Sequence, residues 1–205
     1  MKAFVLLLIF SILVVGCMNN TSEIKPNSSG DSTELLVYYK DKAYEEINEK
    51  TVDLYDTRDS LAFFNAILYL DSALMYCPDC YNILMRKIDF LLRLGMYDKA
   101  LEDLDGYLKK NSDDLIALMG KGVVLEIQNN FSKAKKYYSE VYNDFESKMD
   151  TIDPNYVMSY YLLYGPENID SLLSTKPIKD TLTIYVIQQA IANNNRKEII
   201  ESIFR

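Results

Sequence analysis

The sequence predicts an all-α fold of antiparallel helix pairs, and three observations carry that prediction. From Glu34 onward apolar residues recur at spacings of three and four, the period of a helix with one buried face. Glycine is scarce, seven in 205 residues, and no stretch alternates apolar and polar residues between turn signals as a half-buried strand does. The chain also repeats with a period of 34 residues: Ala66, Ala100 and Ala134 form one column, Phe63, Tyr97 and Phe131 a second three residues upstream, and Leu70, Leu104 and Tyr138 a third four residues downstream. Two helices approach closely only where a methyl group is the sole side chain, and an aromatic ring fills the space beside it.

Ahead of the repeat, residues 1–16 carry a positive start at Lys2 and an apolar run from Ala3 to Val15, broken only by Ser11. That is the length of a signal-peptide core and too short to span a bilayer comfortably. The run ends in Leu13-Val14-Val15-Gly16-Cys17, which resembles the bacterial lipobox. The resemblance implies cleavage before Cys17 and lipidation of its thiol, with Gly16 small enough to enter the peptidase. Several acyl chains on one residue, at about 0.8 kcal/mol per buried methylene, make a lasting anchor. Residues 17–33 then read as the lipidated cysteine and a flexible tether, rich in Asn, Ser and Thr with Pro26 and Gly30, unable to build a core. The composition resembles lipoproteins of Bacteroidota, in which surface export goes with acidic residues just after the lipidated cysteine. Here Met18-Asn19-Asn20 follows, which implies an outer-membrane anchor in the cell envelope facing the periplasm.

The 34-residue register resembles the tetratricopeptide repeat (TPR), a pair of antiparallel helices. Gly95 matches the glycine of the turn between the helices, Gly122 the small residue of the first helix, and Pro78 the proline that closes a unit. Lys87 and Lys121 depart from the family's leucine, Ser112 from the closing proline and Asn129 from the turn glycine. The resemblance implies a right-handed superhelical solenoid over 34–149. Its first helices are 81–94 and 115–128, their partners are 97–110 and 131–147, and an earlier pair has a degenerate helix within 34–57 followed by 60–76. After Met149 the register fails, and Pro154, Pro166 and Pro177 divide 150–205 into short helices near 154–164, 167–174, 179–192 and 195–204. Solenoid ends need atypical units over the last apolar face, so a C-terminal cap is preferred to a separate module.

Composition narrows the function. The formal charge of −8 becomes −9 once residues 1–16 leave with their single lysine, which opposes nucleic acid and anionic headgroups. Histidine is absent, which removes Ser/His/Asp and Cys/His catalysis. With Cys17 assigned to the anchor, Cys77 and Cys80 are too few for a cysteine zinc site, and no metal or other cofactor is implied. Cys77-Pro78-Asp79-Cys80 has CxxC spacing and admits a functional reading, a thiol pair activated at the start of the following helix, and a structural one, a disulfide staple between helices or two small residues at a tight turn.

Seventeen tyrosines include a cluster at Tyr156, Tyr160, Tyr161 and Tyr164, readable as half-buried packing or as a ligand face. In solenoids of this kind the first helices line the concave surface. By register that places Asn82, Met85, Asp89 and Arg93 with Ile116, Met119, Val123 and Glu126, a mixed face suited to an amphipathic helix or extended peptide. Asp113-Asp114 and Glu45-Glu46 read as solvated charge. The expectation is a non-enzymatic, membrane-anchored scaffold for a protein or peptide partner. The alternatives are a thiol-active envelope protein using Cys77 and Cys80, and an immunity-type or structural lipoprotein.

Overall fold

A computed structural model describes residues 30–50, 60–167, 169–193 and 195–202, without the side chains of residues 30, 31, 48–50, 186, 201 and 202. The export segment, Cys17 and most of the tether lie outside the described residues. The described chain is all-helical: α1 Gly30–Lys50, α2 Ser60–Tyr76, α3 Tyr81–Arg93, α4 Tyr97–Leu108, α5 Leu115–Ile127, α6 Phe131–Lys148, α7 Pro154–Tyr164, α8 Ile169–Leu173, α9 Thr181–Asn193 and α10 Arg196–Ser202. Its only extended pairing is a single parallel bridge between Ile152 and Ile178. No described helix is long and apolar enough to cross a membrane.

The chain divides into two compact units between Tyr107 and Leu108. The boundary falls inside the stretch read as one array, so α5 and α6 share a unit with the C-terminal helices rather than with α2 to α4. Helix α1 starts at Gly30, inside the stretch read as tether. Ser32, Thr33 and Glu34 are exposed. A first turn needs no core of its own when the packed turns after it carry the nucleation cost.

The same turns recur 34 residues apart. After α3, Gly95 takes φ 69°, and the Gly95 and Met96 N–H groups donate to the carbonyls of Leu92 and Leu91 at 3.0 and 2.8 Å. After α5, Asn129 takes φ 62°, and Asn129 and Asn130 donate to Glu126 and Leu125 at 2.8 Å each. Both are left-handed helix ends that satisfy orphan carbonyls. Glycine suits the site, and asparagine is the side-chain-bearing residue that tolerates it best.

The turns that open α3 and α5 also match: Cys80 N–H donates to Cys77 O and Asp114 N–H to Asn111 O, each at 3.1 Å. Asp114 then caps α5, its Oδ1 accepting from the N–H groups of Ile116 and Ala117 at 3.0 Å. Its equivalent Cys80 caps nothing with its side chain and is instead bonded to Cys77 in a disulfide, Cα to Cα 5.3 Å.

In the alanine column, Ala66, Ala100 and Ala134 are all buried, as are Leu70, Leu104 and Tyr138. The aromatic column is uneven: Phe63 is buried, Tyr97 half-buried and Phe131 58% exposed. At the head of a helix a ring needs a neighbour to cover it, and the register does not supply one for Phe131.

Candidate binding face

The residues read as a concave face are positioned by α3 in the N-terminal unit and by α5 in the C-terminal unit. In α3, Asn82 is exposed and Met85 and Arg93 are half-buried, while Asp89 is buried. Arg93 Nε donates to Asp89 Oδ1 at 2.9 Å, one turn away, and Arg86 lies 3.6 Å from Asp89 Oδ2. The Arg93 guanidinium also covers the Phe63 ring at 5.5 Å. Asp89 and Arg93 are therefore partners of one another rather than outward-facing groups.

Next to them Lys87, one of the two departures from the usual leucine, is buried with its ammonium 2.5 Å from Asp71 of α2 and 2.7 Å from Asp103 of α4. Burial pulls its pKa down, but the bonds to Asp103 and Asp71 outweigh it and hold the group above the ordinary lysine value. The other departure, Lys121, lies 4.7 Å over the ring of Tyr137. Position 137 is the register equivalent of 103, so a cation is kept at one column and its partner changes from carboxylate to aromatic face.

In α5, Ile116 is half-buried and Met119, Val123 and Glu126 are buried, so these three do not form an open surface. Within this unit the C-terminal helices reach Glu126. Arg196, the first residue of α10, donates to Glu126 through Nε at 2.7 Å and Nη2 at 2.9 Å. It also reaches the Tyr161 and Leu162 carbonyls at the end of α7, at 3.1 and 2.6 Å. The Tyr138 hydroxyl donates to Glu126 Oε2 at 2.9 Å. Burial first, then the Glu126 charge and hydrogen bond, push the Tyr138 phenol far above its ordinary range, so it stays a donor. A second cation, Lys176, works alike at the end of α6, donating to the carbonyls of Glu146 at 2.9 Å and Met149 at 3.0 Å.

Gly122 makes room for this arrangement. A Cβ there would meet Tyr138 Cε1 at 2.5 Å. The register equivalents of Gly122 and Tyr138 are Ile88 and Leu104, both fully buried, so one repeat packs two aliphatics where the next packs a glycine against a ring. The larger ring brings a hydroxyl into the core, the hydroxyl needs Glu126, and the carboxylate needs Arg196. Sequence reasoning missed Arg196. The available signal was Glu126 itself, a carboxylate at the register position of Leu92 in a helix whose one other charged residue is Lys121.

The tyrosine cluster is a packed layer between α6 and α7. Tyr142 sits at its centre, 5.7, 5.8 and 5.5 Å from the rings of Tyr156, Tyr160 and Tyr164. Tyr156 and Tyr161 are buried, Tyr160 half-buried and Tyr164 exposed, which is the packing reading. Asp113 and Glu45 are exposed as expected, whereas Glu46 accepts a bond from Asn65 at 3.3 Å. Two depressions open in the C-terminal unit, one of about 580 Å³ against Ile169, Tyr185 and Gln188 and one of about 540 Å³ against Asp113, Glu140 and Asp144. No protein-family model, curated protein or solved structure matches this chain.

Proposed function

We propose that the chain is a lipid-anchored, TPR-like helix-pair protein of the bacterial cell envelope that binds a protein or peptide partner and performs no catalysis of its own. The observation that carries the helix-pair reading is the recurrence of backbone geometry with the sequence register: the paired bonds at Gly95 and Asn129, and the matching turns at Cys77–Cys80 and Asn111–Asp114. Repeated helix pairs of this kind offer surface rather than a reaction centre. The absence of histidine from the sequence supports a non-enzymatic role. The lipobox supports the anchor, and the acidic balance leaves the anchor as the means of membrane attachment.

The binding surface on this reading is smaller than the register alone suggests. Within the N-terminal unit it runs over Asn82 and Met85, because Asp89 beside them is buried, and in the other unit Met119, Val123 and Glu126 are buried as well. Photocrosslinkers placed at Asn82 and Met85 in the native cell are expected to trap one recurrent partner, and the same crosslinker at exposed Glu140 is not. Equal, non-recurrent labelling from all three positions would refute the binding role. A Cys17→Ser chain is expected to remain unprocessed and to lose metabolic acyl labelling; unchanged labelling would refute the anchor.

A further inference from the structure

Helix α2, SLAFFNAILYLDSALMY, is apolar on two sides. One side is core, with Ala62, Phe63, Ala66, Ile67, Leu70 and Ala73 buried. The other carries Leu61, Phe64, Leu68 and Met75, which are 67, 46, 51 and 80% exposed. Their spacings of three, four and seven place them in one stripe of a helix, with Ser72 in the gap. At the same outward positions one and two repeats later stand Asp98, Glu102 and Lys109, then Ser132, Lys136 and Asn143, all exposed. The register thus asks for polar residues here, and α2 alone departs from it with large apolar ones.

We propose that this stripe is a homodimer surface, on which two copies of the chain pair their α2 helices antiparallel about a two-fold axis at Leu68. That axis sets Leu61 against Met75 of the second copy and Leu68 against Leu68. The large Phe64 then meets the small Ser72, so a ring enters a gap, and Asn65 meets Asp71 at the polar margin. Charge does not oppose the pairing although the chain carries −8. The one charged residue of α2 is Asp71, and it is already neutralised by the Lys87 ammonium at 2.5 Å. The stripe exposes on the order of 400 Å² per copy, at the size where exposed apolar patches mark interaction sites. Two such stripes total about 800 Å², below the roughly 1,200 Å² at the lower end of standard specific interfaces and in the range of weak, transient ones, which fits a reversible dimer.

Cysteine crosslinking of the full chain in the native cell tests this, because the disulfide already closes Cys77 with Cys80. Leu68→Cys should give a covalent dimer, and co-expressed Leu61→Cys and Met75→Cys chains should crosslink to each other. Glu102→Cys and Lys136→Cys, at equivalent positions on α4 and α6, should not. Sedimentation of the detergent-solubilised chain should show a monomer–dimer equilibrium that Leu68→Glu weakens by about tenfold or more with an unchanged far-ultraviolet spectrum. A monomer at all concentrations would overturn the proposal. So would dimers formed equally well from Lys136→Cys, adducts of Leu68→Cys with a different protein only, or burial of a position-68 fluorophore in lipid without any dimer.

Discussion

Replacing Arg196 with methionine removes one side of an ion pair and leaves the other in the core. Glu126 has 7% of its side chain exposed and, in the variant, keeps the Tyr138 hydroxyl but loses both guanidinium bonds. Stranding one partner of a fully buried pair costs about 3–5 kcal/mol. The Arg196 side chain is 38% exposed, so water reaches the vacated place and the expected loss falls to about 2–3 kcal/mol. In thermal unfolding that corresponds to a drop of roughly 4–12 °C for a chain of this size. Hydrogen exchange should locate the loss at α10 and the last turn of α7, whose Tyr161 and Leu162 carbonyls lose their donor. Adding Glu126→Leu and Tyr138→Phe removes the buried charge and then the orphaned hydroxyl, and should recover most of the stability. An Arg196→Met chain within about 0.5 kcal/mol of the parent, or a triple variant no more stable than the single one, would show that the pair is not what holds the tail.

Three further predictions follow from the register. Gly122→Ala should cost about 1–3 kcal/mol in urea unfolding because its methyl meets the Tyr138 ring. In a Tyr138→Leu background the same change should cost much less, and equal costs in both would exclude the volume exchange between repeats. Lys87 has a folded pKa above 10.5, so its contribution is fully present below that value and is lost as pH rises through the folded pKa. The stability difference between the parent and Lys87→Met should therefore shrink above about pH 10.5, and a difference that grows there would contradict the assignment. Replacing Cys77 and Cys80 by the Asn and Asp of the equivalent turn should give a chain insensitive to reductant and within about 1 kcal/mol of the oxidised parent. A thiol-active protein would lose its function in that variant, whereas a stapled turn would keep it.

The helices that were legible in the sequence are those whose signals are local. Residues 60–76 match α2 at both ends, and α3, α4, α5 and α6 start at the residues the register gives, 81, 97, 115 and 131. In the tail, the α7 boundaries follow from Asp153, which caps Tyr156 N–H at 3.0 Å ahead of Pro154, and from Gly165 at φ 86°. Asn195 and Glu198 bond to each other's N–H groups at the start of α10, a reciprocal cap that starts the helix one residue after the expected 195. Asp113-Asp114 was less legible: side by side, two aspartates look alike, and only the backbone decides that Asp114 caps while Asp113 faces solvent.

By itself the sequence determined the helical class, the 34-residue register, the buried alanine column and the turns at Gly95 and Asn129, because each is set by spacing within a few residues of chain or by a repeated column. The tertiary structure alone decided which of the register's outward residues remain accessible. Glu126 and Arg196 stand 70 residues apart, with no period linking them, and their pairing depends on the path of a tail that obeys no repeat. That long-range ion pair turns part of an expected binding face into core, because a buried carboxylate is stable only where the fold returns a cation to it.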